Sequence, residues 1–396
     1  MPFWSPACSI KNISKPMSFY GSVFGFIIAV LLTANNALAA MPVPAPPDVA
    51  ANNYLLVDFA SGKVLAEKNA DEKIEPASIT KMMTAYVVYK ELDAGRLRLD
   101  DTVDISEKAW RMGGSRMYLE VNTSVSVREL LKGLIIQSGN DASVALAEHV
   151  AGTEDAFVQL MNQYAAELGM KGTNFVNSTG WPDEQHLMTA RDIAVLAAAI
   201  IREFPERYAW YSEKEYTYNN IKQYNRNKLL WRDESVDGFK TGHTESAGYC
   251  LVASALRSDM RLISVVLGTD SKKARASVGQ AILNYGYRFF ESHTLYDADE
   301  VLSRPRIWSG EFETVTVGLP DDLAVTIPRG AYDNLDATMD IDKNIEAPVE
   351  KGQQVGVVKV MLDGELLRSV PLVALESVNE GGLLQKAKDY VLRLIN

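Results

Sequence analysis

Three short motifs in this sequence could bring a serine, two lysines and an amide into one reaction centre. They are Ser78-Ile79-Thr80-Lys81, Ser138-Gly139-Asn140 and Lys240-Thr241-Gly242, in that order along the chain. A serine hydroxyl is a weak nucleophile until a base removes its proton, and a lysine three positions along a helix places its amine beside that hydroxyl. The first motif therefore predicts a serine nucleophile, Ser78, with Lys81 as its general base.

The residues around Ser78 predict a helix that begins at the nucleophile. Pro76 lies just before it, and a long apolar stretch follows from Met82 to Tyr89. At a helix N-terminus, free backbone N–H groups and the helix dipole favour developing negative charge, so the N–H of Ser78 is the first predicted oxyanion donor. An ordinary lysine has a pKa of about 10.4, so burial or a second cation must lower the pKa of Lys81 by roughly 3 units.

The second and third motifs supply the remaining groups that acyl transfer needs. Ser138 is predicted to lie between the two lysines and to pass a proton to the leaving amine. Asn140 is predicted to position Lys81 and a substrate amide. Lys240 is the predicted second cation beside Lys81 and is also predicted to orient a substrate carboxylate.

The third motif is predicted to bring the substrate backbone against a strand edge. Lys240-Thr241-Gly242 comes just before an apolar strand that we predict to begin near Gly248. The glycine of the motif has no side chain to hold a substrate away, and the N–H of His243 is the second predicted oxyanion donor. These residues are therefore predicted to bind substrate.

Composition excludes several classes of function. The 396 residues carry a formal net charge of −11, which makes nucleic-acid binding a poor interpretation. The four histidines lack metal-ligand spacing, so we predict no metal and no cofactor. His186 lies in an acidic loop and is predicted to be a surface histidine. Cys250 lies in an apolar run and is predicted to be a buried, unreactive thiol.

Residues 1–39 are predicted to be a secretory signal peptide. Two lysines precede an apolar run from about Val23 to Leu32, and Ala37-Leu38-Ala39 has the small residues of a cleavage site. The apolar run is shorter than the ~20 residues that span a bilayer, which favours a cleaved signal over a retained membrane anchor. We therefore expect export, with the mature chain beginning near Ala40.

Hydrophobic patterning predicts an α+β catalytic domain over residues 40–292. Two apolar strand pairs, within 54–66 and 249–267, flank a mostly helical insertion. We predict that the pairs share one antiparallel sheet with flanking helices, and that the insertion forms a helical subdomain. Residues 293–381 show short apolar alternations and an Asp363-Gly364 hairpin signal, and they predict a small all-β domain without catalytic residues.

Residues 382–396 predict a C-terminal amphipathic helix. Its apolar residues recur with helical periodicity, and lysine and arginine dominate the opposite side. A helix of about 14 residues is too short to span a bilayer. Two interpretations stay open: the helix lies in the membrane interface with its basic face toward anionic lipid, or it docks on the β domain.

From about Ala50 to its C-terminus, the chain resembles the low-molecular-mass penicillin-binding proteins that are serine D-alanyl-D-alanine carboxypeptidases. Besides the three motifs, the stretches that carry this resemblance are Glu75-Pro76-Ala77-Ser78, Gln137-Ser138-Gly139-Asn140-Asp141-Ala142, Ser178-Thr179-Gly180, Ala190-Arg191-Asp192, Asn225-Arg226-Asn227, Asp237-Gly238, Lys240-Thr241-Gly242-His243-Thr244 and Arg288-Phe289-Phe290-Glu291. The resemblance covers the β domain and the terminal helix as well.

The resemblance implies a penicillin-binding/serine β-lactamase-like fold and an acyl-enzyme on Ser78. The implied substrates are peptidoglycan stem pentapeptides, which lose their last D-alanine in the periplasm, and β-lactams are the implied covalent inhibitors. The implied location is the outer face of the inner membrane, with peripheral attachment through the C-terminal helix. Arg226 and Arg275 are implied as partners of the terminal carboxylate, because a guanidinium pairs with a carboxylate bidentately.

Three alternatives remain at this stage. A class A β-lactamase deacylates with the glutamate of an E-x-x-L-N loop, but here Leu-Asn occurs only at Leu283-Asn284, where Gln280 takes the place of the glutamate. An endopeptidase that cuts D-alanine cross-links shares the catalytic motifs. A non-catalytic wall scaffold would use only the β domain and the terminal helix.

Overall fold

The computed structural model describes residues 42–395, so the predicted signal peptide lies outside the described residues. The strands of this range are β1 (Asn53–Asp58), β2 (Val64–Lys68), β3 (Thr102–Asp104), β4 (Ser124–Ser126), β5 (Glu215–Tyr218), β6 (Ile221–Tyr224), β7 (Val236–Thr244), β8 (Gly248–Arg257), β9 (Met260–Thr269), β10 (Phe290–Tyr296), β11 (Val317–Gly318), β12 (Leu323–Pro328), β13 (Leu335–Ile341), β14 (Gln354–Leu362) and β15 (Glu365–Ala374). The helices of this range are α1 (Lys81–Asp93), α2 (Glu107–Trp110), α3 (Val127–Lys132), α4 (Asn140–Ala151), α5 (Glu154–Glu167), α6 (Ala190–Glu203), α7 (Pro205–Tyr208), α8 (Leu229–Arg232), α9 (Lys272–Phe289) and α10 (Leu383–Ile395).

A five-stranded antiparallel sheet is the centre of the catalytic domain. Its strand order is β2-β1-β9-β8-β7, which joins the early and late strand pairs as the sequence predicts. Alternate residues of β9 enter different cores, because successive side chains of a strand point to opposite faces. Val265 packs in the core that contains the helical subdomain, whereas Val266 packs with α9. The sheet is therefore covered by helices on both faces.

The insertion between β2 and β7 is mostly helical, as its apolar periodicity predicts. Two of its longest helices begin at capping residues: the hydroxyls of Thr153 and Thr189 accept the N–H groups of Ala156 and Asp192 at the starts of α5 and α6. Helix α1 lies at the centre, and its residues from Lys81 to Tyr89 are all buried. A buried central helix gives the residues at its N-terminus a fixed position.

The strand predicted to begin near Gly248 is β8, and the third motif, which precedes it, itself lies within a strand. Lys240-Thr241-Gly242 forms the middle of β7, and Gly242 pairs with Cys250 of β8. In the described chain β7 has β8 as its one neighbour and is the last strand of the sheet. Its other edge is therefore open to a substrate backbone.

The C-terminal part of the chain contains the predicted all-β domain. A four-stranded sheet has the order β11-β15-β14-β13, and β10 pairs with β12. Asp363 and Gly364 connect β14 to β15 with φ angles of 52° and 83°, the left-handed conformation that a tight hairpin turn requires. Val358, Val360 and Leu372 belong to a hydrophobic core of its own.

Helix α10 packs on the β domain through its polar side. Asp389 is buried and accepts hydrogen bonds from the Arg306 guanidinium and the Ser309 N–H, both at 2.8 Å. The basic residues of the helix form three ion pairs with carboxylates, which are Lys386 with Glu380, Lys388 with Glu313, and Arg393 with Glu346. Of the two interpretations left open by the sequence, these contacts support the one in which the helix docks on the β domain.

The apolar side of α10 is directed away from the β domain. Leu383 and Leu384 are 88% and 90% exposed, and Tyr390 and Val391 are also exposed. None of the helices in residues 42–395 has the length and hydropathy needed to cross a membrane. Helix α10 thus combines a polar side that contacts the β domain with an apolar side that is exposed.

Candidate active site

The nucleophile lies in a single 3-10 turn that leads into α1. This turn spans Ala77–Thr80, and α1 begins at Lys81. Ala77 has a φ of 50°, a left-handed conformation that is unfavourable for a residue with a Cβ atom. The Thr80 hydroxyl donates to the Ala77 carbonyl at 2.9 Å and closes the turn. Ser78 is partly exposed and lines a cleft.

Lys81 is buried directly behind Ser78. Its Nζ lies 3.1 Å from Ser78 Oγ, and it donates to Asn140 Oδ1 at 2.6 Å and to the Thr179 carbonyl at 2.7 Å. A neutral amine has two N–H groups and one lone pair. Because Asn140 and Thr179 accept both N–H groups, the lone pair of the neutral amine is left to accept the Ser78 proton.

Burial lowers the pKa of Lys81 to about 7, and the positive charge of Arg226 adds to this effect while Asp141 opposes it. The sequence predicts Lys240 as the second cation, and this role stays a prediction. Lys240 is itself buried, and burial, followed by the charges of Lys81, Arg226 and Arg275, holds its own pKa well below the ordinary value. Lys81 and Lys240 are therefore close enough for their charges to interact.

Ser138 and Asn140 come from the sharp junction between α3 and α4. A π-helical turn, Gly133–Gln137, ends at Ser138, whose φ of 67° is left-handed. The Ser138 hydroxyl is buried and has no hydrogen-bond partner among the described residues. Asn140 donates to the Gly113 carbonyl at 2.8 Å, which directs its Oδ1 toward Lys81. The unpartnered hydroxyl of Ser138 is thus available to a substrate.

Strand β7 forms the opposite wall of the site. A Cβ atom on Gly242 would lie 2.9 Å from the Pro76 carbonyl, so glycine permits β7 to approach the nucleophile turn. His243 is exposed, and its ring lies 3.9 Å from the ring of Tyr249. Arg275 donates to the Gly242 carbonyl at 3.0 Å from below the strand. Lys240, by contrast, is buried behind the wall.

The structure brings most of the predicted site residues together around one cleft. The cleft has a volume of about 860 Å³. The predicted residues that line it are Ser78, Ser138, Asn140, Arg226, Thr241, Gly242 and His243. Arg226 donates to the Ser115 hydroxyl at 2.6 Å, which holds its guanidinium in the cleft. Lys81 and Lys240 are the two predicted residues that are buried beneath this lining.

A loop that the chemical reasoning missed supports Lys81. Asn177 Oδ1 accepts the N–H groups of Thr179, Gly180 and Trp181, and this tight turn presents the Thr179 carbonyl to Lys81. Gly180 has a φ of 81°, and a Cβ atom there would lie 1.8 Å from the Ala77 carbonyl. Asparagine, whose side chain bonds to the backbone two residues on, and glycine, which adopts positive φ, are the residues that favour such a turn.

His186 is buried, so the prediction of a surface histidine is wrong. Its Nδ1 accepts the Val176 N–H at 3.2 Å, and its Nε2 lies 2.8 Å from Thr80 Oγ1. Burial lowers the pKa of His186 to about 4. Cys250 is also buried, and burial raises the pKa of its thiol to about 11. Among residues 42–395, His, Cys, Asp and Glu form no group of three that could hold a metal ion.

A serine at the start of a buried helix, with a lysine amine of lowered pKa behind it, is equipped for nucleophilic acyl transfer. The fold and the site therefore define a serine acyl-transfer enzyme with a lysine base. Residues 40–271 match the family model described as D-alanyl-D-alanine carboxypeptidase, and residues 290–380 match the one described as penicillin-binding protein 5, C-terminal domain. The chain belongs to the D-alanyl-D-alanine carboxypeptidase family.

Similar proteins cover nearly the whole chain. D-alanyl-D-alanine carboxypeptidase DacC of Escherichia coli is 44% identical over 380 residues, which are 94% of each chain. The crystal structure of penicillin-binding protein 5 from Haemophilus influenzae has a TM-score of 0.81 and 44% identity, and the match covers 85% of this chain and all of that one. The predicted α+β fold with an all-β C-terminal domain is confirmed.

Two more distant relatives bear on the endopeptidase alternative and on the binding of β-lactams. A D-alanyl-D-alanine endopeptidase of E. coli is 34% identical over 59% of this chain and 76% of its own length. Penicillin-binding protein D2 of Listeria monocytogenes, solved in an ampicillin-bound form, has a TM-score of 0.57 and 29% identity, and the match covers 62% of this chain and all of that one. The endopeptidase is thus the weaker match, and a relative with this fold binds a β-lactam.

Proposed function

We propose that this protein is a serine D-alanyl-D-alanine carboxypeptidase, which removes the terminal D-alanine from peptidoglycan stem pentapeptides through an acyl-enzyme on Ser78. The observation that carries this proposal is the environment of Lys81. Its two hydrogen-bond acceptors, Asn140 Oδ1 and the Thr179 carbonyl, leave its lone pair for Ser78, and its pKa of about 7 makes half of the amine neutral near pH 7.

In the acylation step, Lys81 takes the proton from Ser78 Oγ, which attacks the carbonyl carbon of the penultimate D-alanine. The negative charge that develops on the carbonyl oxygen is stabilised by the N–H groups of Ser78 and His243. The Lys81 proton then passes through the Ser138 hydroxyl to the nitrogen of the last D-alanine, and the peptide bond breaks. An ester on Ser78 and free D-alanine result.

In the deacylation step, a water molecule attacks the ester carbonyl, and neutral Lys81 is again the nearest base. The proton of the water passes to Lys81 and from there to Ser78 Oγ as the ester bond breaks. In a β-lactam adduct the leaving amine stays tethered to the acyl group, so it remains in the path of water. We therefore propose β-lactams as long-lived covalent inhibitors of Ser78.

Strand β7 and the cations near it are proposed to bind the substrate. The open edge of β7 offers backbone groups to an extended peptide, as an added strand would use them. Lys240, Thr241 and Arg226 are proposed to receive the terminal carboxylate. Arg275 already donates to the Gly242 and Cys250 carbonyls, which supports a role in holding β7 against β8.

The substrate assignment is tested with two defined peptidoglycan fragments, a monomeric pentapeptide and a cross-linked dimer. We expect free D-alanine from the pentapeptide and slower cleavage of the dimer. The Ser78→Ala variant is the control and should release nothing from either fragment. If the dimer is cleaved in preference to the pentapeptide, the endopeptidase alternative is correct. If neither fragment is cleaved and penicillin does not label the protein, the scaffold alternative is correct.

The β-lactamase alternative makes a different prediction, which is rapid turnover of penicillin. Gln280, which occupies the position of the lactamase glutamate in the sequence pattern, lies in α9 and donates to Asp233 at 2.7 Å. It is not among the described residues that line the cleft. We therefore expect one penicillin per protein to be bound and slowly released, and sustained hydrolysis of excess penicillin would contradict this expectation.

We further propose a periplasmic location with peripheral attachment to the outer face of the inner membrane. Residues 1–39 would be the cleaved signal peptide, 40–292 the catalytic domain, 293–381 the β domain and 382–396 the membrane anchor. Support comes from the exposed apolar side of α10. Burying a large apolar side chain contributes about 1.5–3 kcal/mol, so the four exposed side chains are sufficient for reversible attachment.

Attachment is tested with lipid vesicles. Because the basic side chains of α10 are paired with carboxylates of the β domain, we expect similar binding to neutral phosphatidylcholine vesicles and to vesicles that contain anionic lipid. A chain that ends at Gly382 is the control and should bind neither kind. Attachment that requires anionic lipid would contradict the role of these ion pairs, and full binding by the shortened chain would exclude α10 as the anchor.

A further inference from the structure

One buried titratable side chain close to the nucleophile has no part in the proposed reaction. His186 is 1% exposed and is not among the described residues that line the cleft. It lies in the segment between the Thr179 carbonyl, which binds Lys81, and the start of α6. A polar ring that is fully buried needs partners for both nitrogens, and this ring has them.

The hydrogen bonds of His186 form part of a chain that leads to the nucleophile turn. Its Nδ1 accepts the Val176 N–H at 3.2 Å, so the proton of the neutral ring resides on Nε2. Nε2 then donates to Thr80 Oγ1 at 2.8 Å, and the Thr80 hydroxyl donates its own proton to the Ala77 carbonyl at 2.9 Å. Two hydrogen bonds thus connect the ring to the peptide group that precedes Ser78.

The peptide at the end of this chain is under strain. Ala77 has a φ of 50°, a conformation that persists only where surrounding contacts enforce it. The α-carbon of Gly180 packs against the Ala77 carbonyl so closely that a Cβ atom there would lie 1.8 Å from the oxygen. Within the turn, this carbonyl accepts a hydrogen bond from the Thr80 hydroxyl. The orientation of Ser78 depends on this peptide.

We propose that His186 is a positioning residue, which acts through the Thr80 hydroxyl to fix the Ala77–Ser78 peptide and thereby holds Ser78 Oγ within reach of Lys81. The inference rests on the proposed function, because it concerns the acylation of Ser78. The His186 ring itself takes no part in proton transfer. Because burial lowers its pKa to about 4, His186 stays neutral in the pH range in which Lys81 titrates.

The test compares two matched threonines of the same helical segment. Thr80→Val removes the hydroxyl that connects His186 to Ala77, and Thr80→Ser retains a hydroxyl. Thr84→Val is the control, because it also removes a buried hydroxyl, which donates to the Ser178 carbonyl at 2.6 Å. That carbonyl keeps a second donor, the Ser143 hydroxyl at 2.7 Å. Melting temperatures show that each variant is folded.

The measurement is the pre-steady-state reaction with a fluorescent penicillin, which separates the non-covalent dissociation constant from the acylation rate constant. For Thr80→Val we expect the acylation rate constant to fall at least tenfold, since a misplacement of about 1 Å costs about a hundredfold. The dissociation constant and the midpoint of the pH profile should stay unchanged. Thr80→Ser and Thr84→Val should both have the acylation rate constant of the wild-type protein.

His186→Ala provides a second route to the same answer. If both residues act through one chain, His186→Ala combined with Thr80→Val should be no slower than the slower single variant. His186→Gln can still donate an N–H to Thr80 and should be faster than His186→Ala. If Thr80→Val does not fold, the two His186 variants decide the question.

Three results would overturn the inference: an unchanged acylation rate in folded Thr80→Val, an equal loss in Thr84→Val, or multiplying effects in the double variant. Should Thr80→Val not fold, equal rates for His186→Ala, His186→Gln and the wild type would overturn it. Failure of the proposed function looks different, because the wild-type protein itself would then form no adduct at Ser78.

Discussion

The titration of Lys81 gives the sharpest quantitative prediction. The acylation rate should rise with pH through a single ionisation near pH 7 and become constant above it, because only the neutral amine can accept the Ser78 proton. Burial is the main cause of the lowered pKa, and the charge of Arg226 is the second. The profile should therefore respond to the loss of Arg226.

The magnitude follows from the two pKa values. With the ordinary value of 10.5, only about 3 in 10,000 Lys81 amines would be neutral at pH 7, whereas a pKa of about 7 makes about half of them neutral. The site thus increases the reactive form by on the order of a thousandfold. In free energy, burial and the neighbouring charges together disfavour the protonated form of Lys81 by about 5 kcal/mol.

The assay is the acylation rate constant at saturating penicillin, measured from about pH 5.5 to pH 9.5 on the wild-type protein and two variants. Arg226→Gln removes the cation that lowers the pKa of Lys81, so the rising limb should move to higher pH. Lys228→Gln is the matched control, because Lys228 lines the same cleft but is not among the charges that act on Lys81. Its profile should coincide with the wild-type profile.

Two results would refute this reasoning. A limb near pH 10 would mean that Lys81 keeps an ordinary pKa, and a rate independent of pH would mean that no amine takes the Ser78 proton. A limb that stays in place in Arg226→Gln would contradict the electrostatic contribution of Arg226 while leaving the effect of burial intact.

Two further predictions concern packing around the site and the terminal helix. Gly180→Ala should abolish acylation by penicillin, because its Cβ atom would lie 1.8 Å from the Ala77 carbonyl. Gly95→Ala is the control, because Gly95 also has a positive φ but has nothing within 4 Å of its added Cβ atom. This variant should lose only about 1 kcal/mol of folding stability and stay active. For Asp389, burial alone would raise the pKa, but the Ser309 N–H and Arg306 hold it below its ordinary range. This carboxylate therefore stabilises the docked helix above its unfolded pKa, and the stabilisation is lost as the pH falls through the lower folded value. Asp389→Ala should remove it at neutral pH and accelerate hydrogen exchange in α10, and unchanged exchange would contradict the docking.

The sequence predicts the parts of the site that depend on local chemistry. Ser78 and Lys81 are separated by one helical turn, and this spacing alone places the amine near the hydroxyl. The strands of the central sheet were likewise visible as short apolar runs, because a sheet buried on both faces requires nearly continuous apolar residues. In the all-β domain, the hairpin was predicted from Asp363-Gly364, and both residues have the positive φ angles that such a turn requires.

The remaining features depend on long-range contacts that no local pattern records. His186 and Thr80 are 106 positions apart, and the polarity of the loop around His186 suggested exposure. The effect of Arg226 on the pKa of Lys81 was also missed, because Arg226 lies far from Lys81 along the chain. The location of Lys240 inside β7 was missed because glycine and threonine interrupt the apolar run.

The central claim is that Ser78 forms the acyl-enzyme. Its most direct test is mass spectrometry of the intact protein after brief exposure to penicillin, followed by mapping of the modified peptide. The account predicts one adduct with the full mass of the penicillin, located on the peptide that contains Ser78 and absent from Ser78→Ala. An adduct on any other residue, or an adduct of equal yield in Ser78→Ala, would contradict it.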